Sequence, residues 1–263
     1  MAAFTAQDVK ALRDATGAGM MDCKSALTEA DGDMEQAAQV LRQKGLSKVA
    51  TLEDRENNQG AVAIARSGNT AALVELKSET DFSAKADDFV ALTQALADAV
   101  LAGGPEAVAS LQAELDDLRI SKKENIVVGS VARFVAPEGH VLDAYLHSQD
   151  GRGINGVLIE LDSGDEESAH EIALHIAFAR PAALTREEID SDLAERARAS
   201  FEELTRTEGK PEQAIPKIVE GRLNSWYAER VLPDQGLFGE KETVAQRLGD
   251  VSIVRFAQAV IGS

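Results

Sequence analysis

The sequence is most informative through what it has little of. A single cysteine, Cys23, leaves no partner for an intrachain disulfide, which suits a reducing compartment. Aromatic residues make up only 4% of 263, so any core must be built mainly from Ala, Leu, Val and Ile. Basic side chains are outnumbered, 27 Lys and Arg against 45 Asp and Glu, for a formal net charge of -18. Nucleic-acid affinity rests largely on cations that neutralise phosphates, so direct RNA or DNA binding is not expected and a protein partner is. No apolar run is long enough to span a bilayer, and the opening MAAFTAQDVK lacks the basic and apolar regions of a secretory signal. The expectation is a cytoplasmic protein that neither enters nor crosses a membrane.

What is present reads first as helix. Thr5 can cap a helix that carries Val9 and Leu12, with Phe4 near the same face, and Gly17-Ala18-Gly19 breaks it. A second helix covers 20–30, with Met20, Cys23 and Leu27 at helical spacing. Asp33 and Gln36 form a start resembling a capping box for a third, whose face is Val40 and Leu41 and whose expected end is Gly45. The division expected is a three-helix module over 1–46 and a polar linker over 47–59.

The period then changes. Runs at 61–65 and 72–76, separated by Ser67-Gly68-Asn69, suit a β-hairpin. Helical spacing returns at Phe89, Leu92, Leu96 and Val100, then at Leu111, Leu115 and Leu118. Strands are expected over 126–135 and 141–146. Val157-Leu158-Ile159-Glu160-Leu161 echoes Leu73-Val74-Glu75-Leu76, and 173–178 echoes 91–96, which predicts two related α+β subdomains. These are placed at 60–139 and at 140–185 with 233–263. Between the last two segments, 186–232 reads as an inserted, protruding antiparallel helical hairpin turning at Gly209-Lys210-Pro211. A short helix near Val244 and Leu248 and a strand over 251–257 close the chain.

Several apparent chemical sites dissolve on inspection. Gly151-Arg152-Gly153-Ile154-Asn155-Gly156 matches a dinucleotide-binding pattern, but a strand follows it where a helix is needed, so a glycine-rich hairpin loop is expected. His170 and His175 are five apart and diverge by about 140° on a helix, whereas zinc ligands four apart share a face. The carboxylates sit mostly on charged helix faces such as Glu202-Glu203. No catalytic constellation, metal site or cofactor site emerges. A binding adaptor and an enzyme with a hidden carboxylate pair are the competing classes. Phe82 is the odd residue: an aromatic among Glu79-Thr80-Asp81 and Ser83-Ala84-Lys85, which either tucks under its own loop or projects as an anchor. Met20 and Met21 pose the same choice, one being expected outward if the other is core.

The string Thr16-Gly17-Ala18-Gly19-Met20-Met21-Asp22-Cys23-Lys24 with Ala26-Leu27 and Asp31-Gly32-Asp33 resembles the N-terminal signature of the elongation factor Ts family. Val74-Glu75-Leu76 followed by Glu79-Thr80-Asp81-Phe82 is similar to its second signature, and Val219 to Asn224 to a third. The resemblance implies a ubiquitin-associated-like N-terminal bundle, a core of two subdomains and a protruding hairpin. It implies exchange of guanine nucleotide on elongation factor Tu, in its GDP-bound and nucleotide-free states, by disturbing the magnesium and phosphate site. It places Thr80, Asp81, Phe82 and Ser83 at that disturbance, and Arg13, Met20, Met21, Cys23 and Lys24 in the N-terminal contact. His147 falls in a contact from the second subdomain. Ser83 stands where Val is common in the family, and stoichiometry stays open between one-to-one and two-to-two.

Overall fold

The structure, a computed structural model, describes residues 4–262, so the first three residues of the 1–46 module and Ser263 lie outside it. Three helices come first: α1 (Ala6–Thr16), α2 (Met20–Glu29) and α3 (Met34–Val49). Thr5 caps α1 by accepting from the Asp8 amide, while the Asp8 carboxylate accepts from the Thr5 amide at 2.7 Å. Gly17, at φ +67, ends the helix in a backbone region that only glycine enters cheaply. Asp33 opens α3 by accepting from the amides of Glu35 and Gln36, both at 2.9 Å. Val9, Leu12, Cys23, Ala26, Leu27, Ala37 and Leu41 form the shared core.

Gly45 does not end the third helix. α3 continues to Val49 and a 3-10 turn follows at 50–52, so the polar stretch expected as a linker begins as helix. The reason is packing. A Cβ on Gly45 would stand 2.8 Å from Cγ1 of Ile120, so the glycine is what lets α3 lie against the core helix that carries Ile120.

The core is a six-stranded antiparallel sheet in two groups of three. β1 (Gln59–Ser67) and β2 (Thr70–Ser78) form the expected hairpin, paired through to Ser67 opposite Thr70. After β2 come α4 (Asp81–Ala84), α5 (Asp87–Gly103) and α6 (Gln112–Lys122), and then β3 (Val127–Val135) pairs with β2. The second group is β4 (Val141–Gln149), β5 (Arg152–Leu161) and, after four helices, β6 (Ile253–Val260). Those helices are α7 (Glu166–Ala179), α8 (Ser191–Thr207), α9 (Ile215–Ala228) and α10 (Val244–Leu248). β4 and β6 both pair with β5. The two echoing runs of sequence are thus β2 and β5, each the central strand of its group and each followed by helix.

Side chains alternate across each strand. Ala72, Val74 and Leu76 of β2 face Phe89, Leu96 and Val100 of α5. Val157, Ile159 and Leu161 of β5 face Ile172 and Ile176 of α7. The opposite faces meet one another in a third cluster, where Val62, Leu73 and Phe134 pack with Leu142, Leu158 and Ala259. One backbone pairing, Val62 with Gly153, joins the two groups into one sheet. The expected glycine-rich loop is therefore mostly strand, and only Asp150 and Gly151 turn. A Cβ on Gly153 would lie 2.2 Å from the Val62 carbonyl oxygen, so that glycine serves the crossing of β1 over β5.

α8 and α9 form an antiparallel pair with Ile215, Val219 and Leu223 buried between them. Its feet are tied by backbone: the Ala182 amide donates to the Arg230 carbonyl at 2.8 Å and the Leu232 amide to the Ala183 carbonyl at 2.9 Å. Leu232, placed by sequence at the end of the hairpin, is fully buried among the α7 and β5 residues. Among the described residues no helix is long and apolar enough to cross a membrane.

Candidate functional site

The segment after β2 is not the loop expected from its polar composition. Asp81–Ala84 form the single helical turn α4, whose cap is Thr80, its hydroxyl accepting from the Ser83 amide at 3.2 Å. So short a helix has little stability of its own, because nucleation fixes several residues for one hydrogen bond. Ser83 and Ala84 are buried beneath the turn, and Phe82 on its outer side is 85% exposed. The geometry resolves the two readings of Phe82 in favour of projection.

A carboxylate from elsewhere in the chain holds the turn. Glu124 follows Lys123, whose φ of +57 turns the chain sharply out of α6. Its Oε2 accepts from the amides of Glu79 and Thr80 at 3.1 and 3.2 Å, and its Oε1 from the hydroxyls of Thr80 and Ser83, both at 2.6 Å. The neighbouring Asn125 amide donates to Glu79 at 2.7 Å, and its side-chain amide donates to the carbonyls of Glu53 and Arg55. The chain leaving the N-terminal helices, the end of β2 and the end of α6 are thereby knotted together behind Phe82.

On the other side of the turn, Lys85 lies 2.9 Å from Asp81 and 3.2 Å from Asp150 of the β4–β5 turn. The hydrogen bond from Lys85 holds the Asp81 carboxyl below its usual range, and the two carboxylates push the ammonium of Lys85 up. Phe82 borders an open groove of about 630 Å³ whose lining includes Lys85, Gln149, Arg152 and Ile154. The groove therefore draws on both strand groups, with an exposed aromatic on its rim.

The other expected site residues are spread over the surface. Arg13, Met20, Met21 and Lys24 are exposed on the N-terminal helices. Neither methionine is core, contrary to the spacing argument, because burial along α2 begins one turn later at Cys23. Cys23 is a correction of another kind: grouped with the contact residues on the resemblance, it is fully buried among the three helices, its thiol 3.8 Å from the Ala18 carbonyl. His147 is exposed on β4, its Nδ1 3.4 Å from the Tyr145 hydroxyl.

Two features went unread in the sequence. Glu124 stands in Lys122-Lys123-Glu124-Asn125, which carries no signal beyond that of a solvated helix end. Phe178 and Phe238, 60 residues apart in sequence, are both exposed, with ring centroids 6.2 Å apart. The tight turn at 237–239 that brings Phe238 there shows no periodicity to find.

The sequence profile of a family described as elongation factor TS matches residues 79–263, beginning one residue before the Thr80 cap. The chain is 40% identical to the elongation factor Ts of Kineococcus radiotolerans over 278 aligned positions that cover all of both chains. It is 42% identical, again over the whole of both chains, to that of Arthrobacter sp. (strain FB24). Against that of Deinococcus radiodurans the identity is 40%, covering 98% of this chain and 99% of the relative.

Proposed function

This chain belongs to the elongation factor Ts family and has a role in translation elongation, and we propose that it performs that role by exchanging guanine nucleotide on elongation factor Tu. On this reading the protein binds Tu carrying GDP, Phe82 enters the GTPase beside its magnesium and phosphate site, and GDP leaves. No bond is made or broken by the exchange factor itself. What it needs is higher affinity for nucleotide-free Tu than for the GDP form, and linkage then requires GDP to weaken its binding by the same factor.

The observation that carries the reading is the presentation of Phe82, an 85% exposed aromatic held outward by a capped turn. Burying such a side chain only in the open state contributes about 1.5–3 kcal/mol, or roughly ten- to hundred-fold in an equilibrium. Asp81, beside it, would exchange its ion pair with Lys85 for groups on Tu. Met20, Met21, Arg13 and Lys24 would supply the grip of the 1–46 module, and His147 a contact from the second part of the core. Exposed methionines suit this, being flexible and polarisable.

The test is release of labelled GDP from purified Tu with and without the full chain. Stimulated release supports exchange. Stable binding to Tu with release unchanged would leave an adaptor, and rejects the exchange reading.

A further inference from the structure

We infer that Glu124 is a positioning residue for nucleotide exchange: its carboxylate orders the turn that points Phe82 away from the protein before any partner binds. The inference rests on the exchange reading for its consequence, but its structural half stands on the free protein.

The physical argument begins with a conflict. An exposed phenylalanine is in the arrangement that water disfavours, and folding left to itself turns such a ring inward. The turn bearing it has four residues, too few to hold a helical conformation without outside support. Support comes from below and behind. Below, Ser83 and Ala84 are buried. Behind, Glu124 collects four donors, two amides and two hydroxyls, from Glu79, Thr80 and Ser83. Hydrogen bonds to an ionised acceptor are the stronger kind. The Thr80 hydroxyl that donates to Glu124 also accepts from the Ser83 amide, so the cap of the turn is itself oriented by the carboxylate.

Glu124 can act as a fixed point because its own segment is anchored, through Asn125, to Glu79 and to the carbonyls at 53 and 55. A turn ordered in advance spares the complex the entropy of ordering it on contact. That saving falls in the step where Phe82 enters the partner. Contacts elsewhere, such as those of Met20 and Met21, do not depend on it.

The experiment titrates full-length wild type, Glu124→Ala and Glu124→Gln against Tu loaded with fluorescent GDP, and follows amide hydrogen exchange in each free protein. Glu124→Ala should lower the maximal release rate about ten-fold while the half-saturating concentration stays within about two-fold. Glu124→Gln should recover most of the rate, since its carbonyl can accept from the two amides and its nitrogen can donate to the two hydroxyls. In the free Ala variant the Thr80 and Ser83 amides should exchange about ten-fold faster, with Val74 in β2 unchanged. Should Glu124→Ala fail to fold, Ser83→Ala removes one of the four donors, and it must slow maximal release.

A wild-type maximal rate in Glu124→Ala overturns the inference. So does a slow rate that comes with lost protection throughout β2 and no rescue by Gln, since that is a general folding defect. If wild type itself releases no GDP, the exchange reading fails, and the amide comparison alone decides whether Glu124 holds the turn.

Discussion

The backbone N–H of Phe238 donates to Nδ1 of the fully buried His175 at 3.0 Å, and the ring's Nε2 stands 3.0 Å from Oε1 of Gln235. A backbone amide can only donate, so Nδ1 must carry a lone pair and Nε2 the proton. The imidazole is held neutral, and through it the exposed Phe238, at a φ of +50, is held in place. Burial pushes the His175 pKa below its ordinary value near 6.5, against a smaller upward effect from Gln235.

Stability should therefore fall with acid in a defined window. Above about pH 6.5 both folded and unfolded chains hold a neutral imidazole, and the stabilisation is complete. As pH drops below that, the unfolded chain takes up a proton that the buried ring refuses. The loss approaches at most about 1.4 kcal/mol per pH unit, until the depressed folded pKa is reached. Urea unfolding of wild type and His175→Gln at about pH 7.5, 6.5 and 5.5 reads this directly, wild type showing the steeper decline. Equal slopes for the two proteins would contradict the assignment.

Gly45→Ala should destabilise the protein although alanine is the better helix former by about 1 kcal/mol. The added methyl would meet Ile120 at Cγ1 and Cγ2, both closer than 3.0 Å, and neither atom is the free end of a flexible chain. A net loss of about 1 kcal/mol or more is expected by denaturant unfolding. Ile120→Ala in the same protein should relieve it, so that the double variant is more stable than the sum of the single effects implies.

Phe82→Ala should leave folding stability within about 0.5 kcal/mol of wild type, as for other exposed positions. Phe89→Ala, truncating a ring buried under α5, should instead cost about 3–5 kcal/mol. GDP release should show the reverse order, Phe82→Ala slowing it about ten-fold or more while Phe89→Ala is normal per folded molecule. A Phe82→Ala protein that melts early and exchanges normally would return this ring to the core.

The outer part of the helical pair should be removable. Its feet are closed by backbone pairing of 182–183 with 230–232, and by Arg186 bonding Asp234 at 2.9 Å and Asn224 at 2.8 Å. Replacing 195–221 with a Gly/Ser linker of about four residues spans the separation of two packed helices, roughly 8–10 Å. Cooperative unfolding should persist in circular dichroism. A cut extended through Leu232 should abolish it, since that side chain belongs to the core of the second strand group.

The sequence by itself determined where the long helices and the first hairpin lie, because that information is local. Thr5 and Asp8, or Asp33 and Gln36, are capping partners within one turn, and the alternation of Ala72, Val74 and Leu76 needs no distant neighbour. The echo of β2 in β5 was legible for the same reason, being two matching strings. Family signatures likewise travel with short motifs such as Thr80-Asp81-Phe82. What only the tertiary structure decided is what depends on residues far apart in the chain. Gly45 reads as a stop until Ile120, 75 positions later, is seen to occupy the space of its side chain. Gly153 reads as loop until β1 is found crossing it. Phe82 could equally have been core, and its outward direction comes from the hydroxyls and amides collected by Glu124, 41 to 45 residues away. Hydrogen bonds and van der Waals contacts act over a few ångströms whatever the separation along the chain. A sequence displays its spacing in residues, and the fold alone converts that spacing into distance.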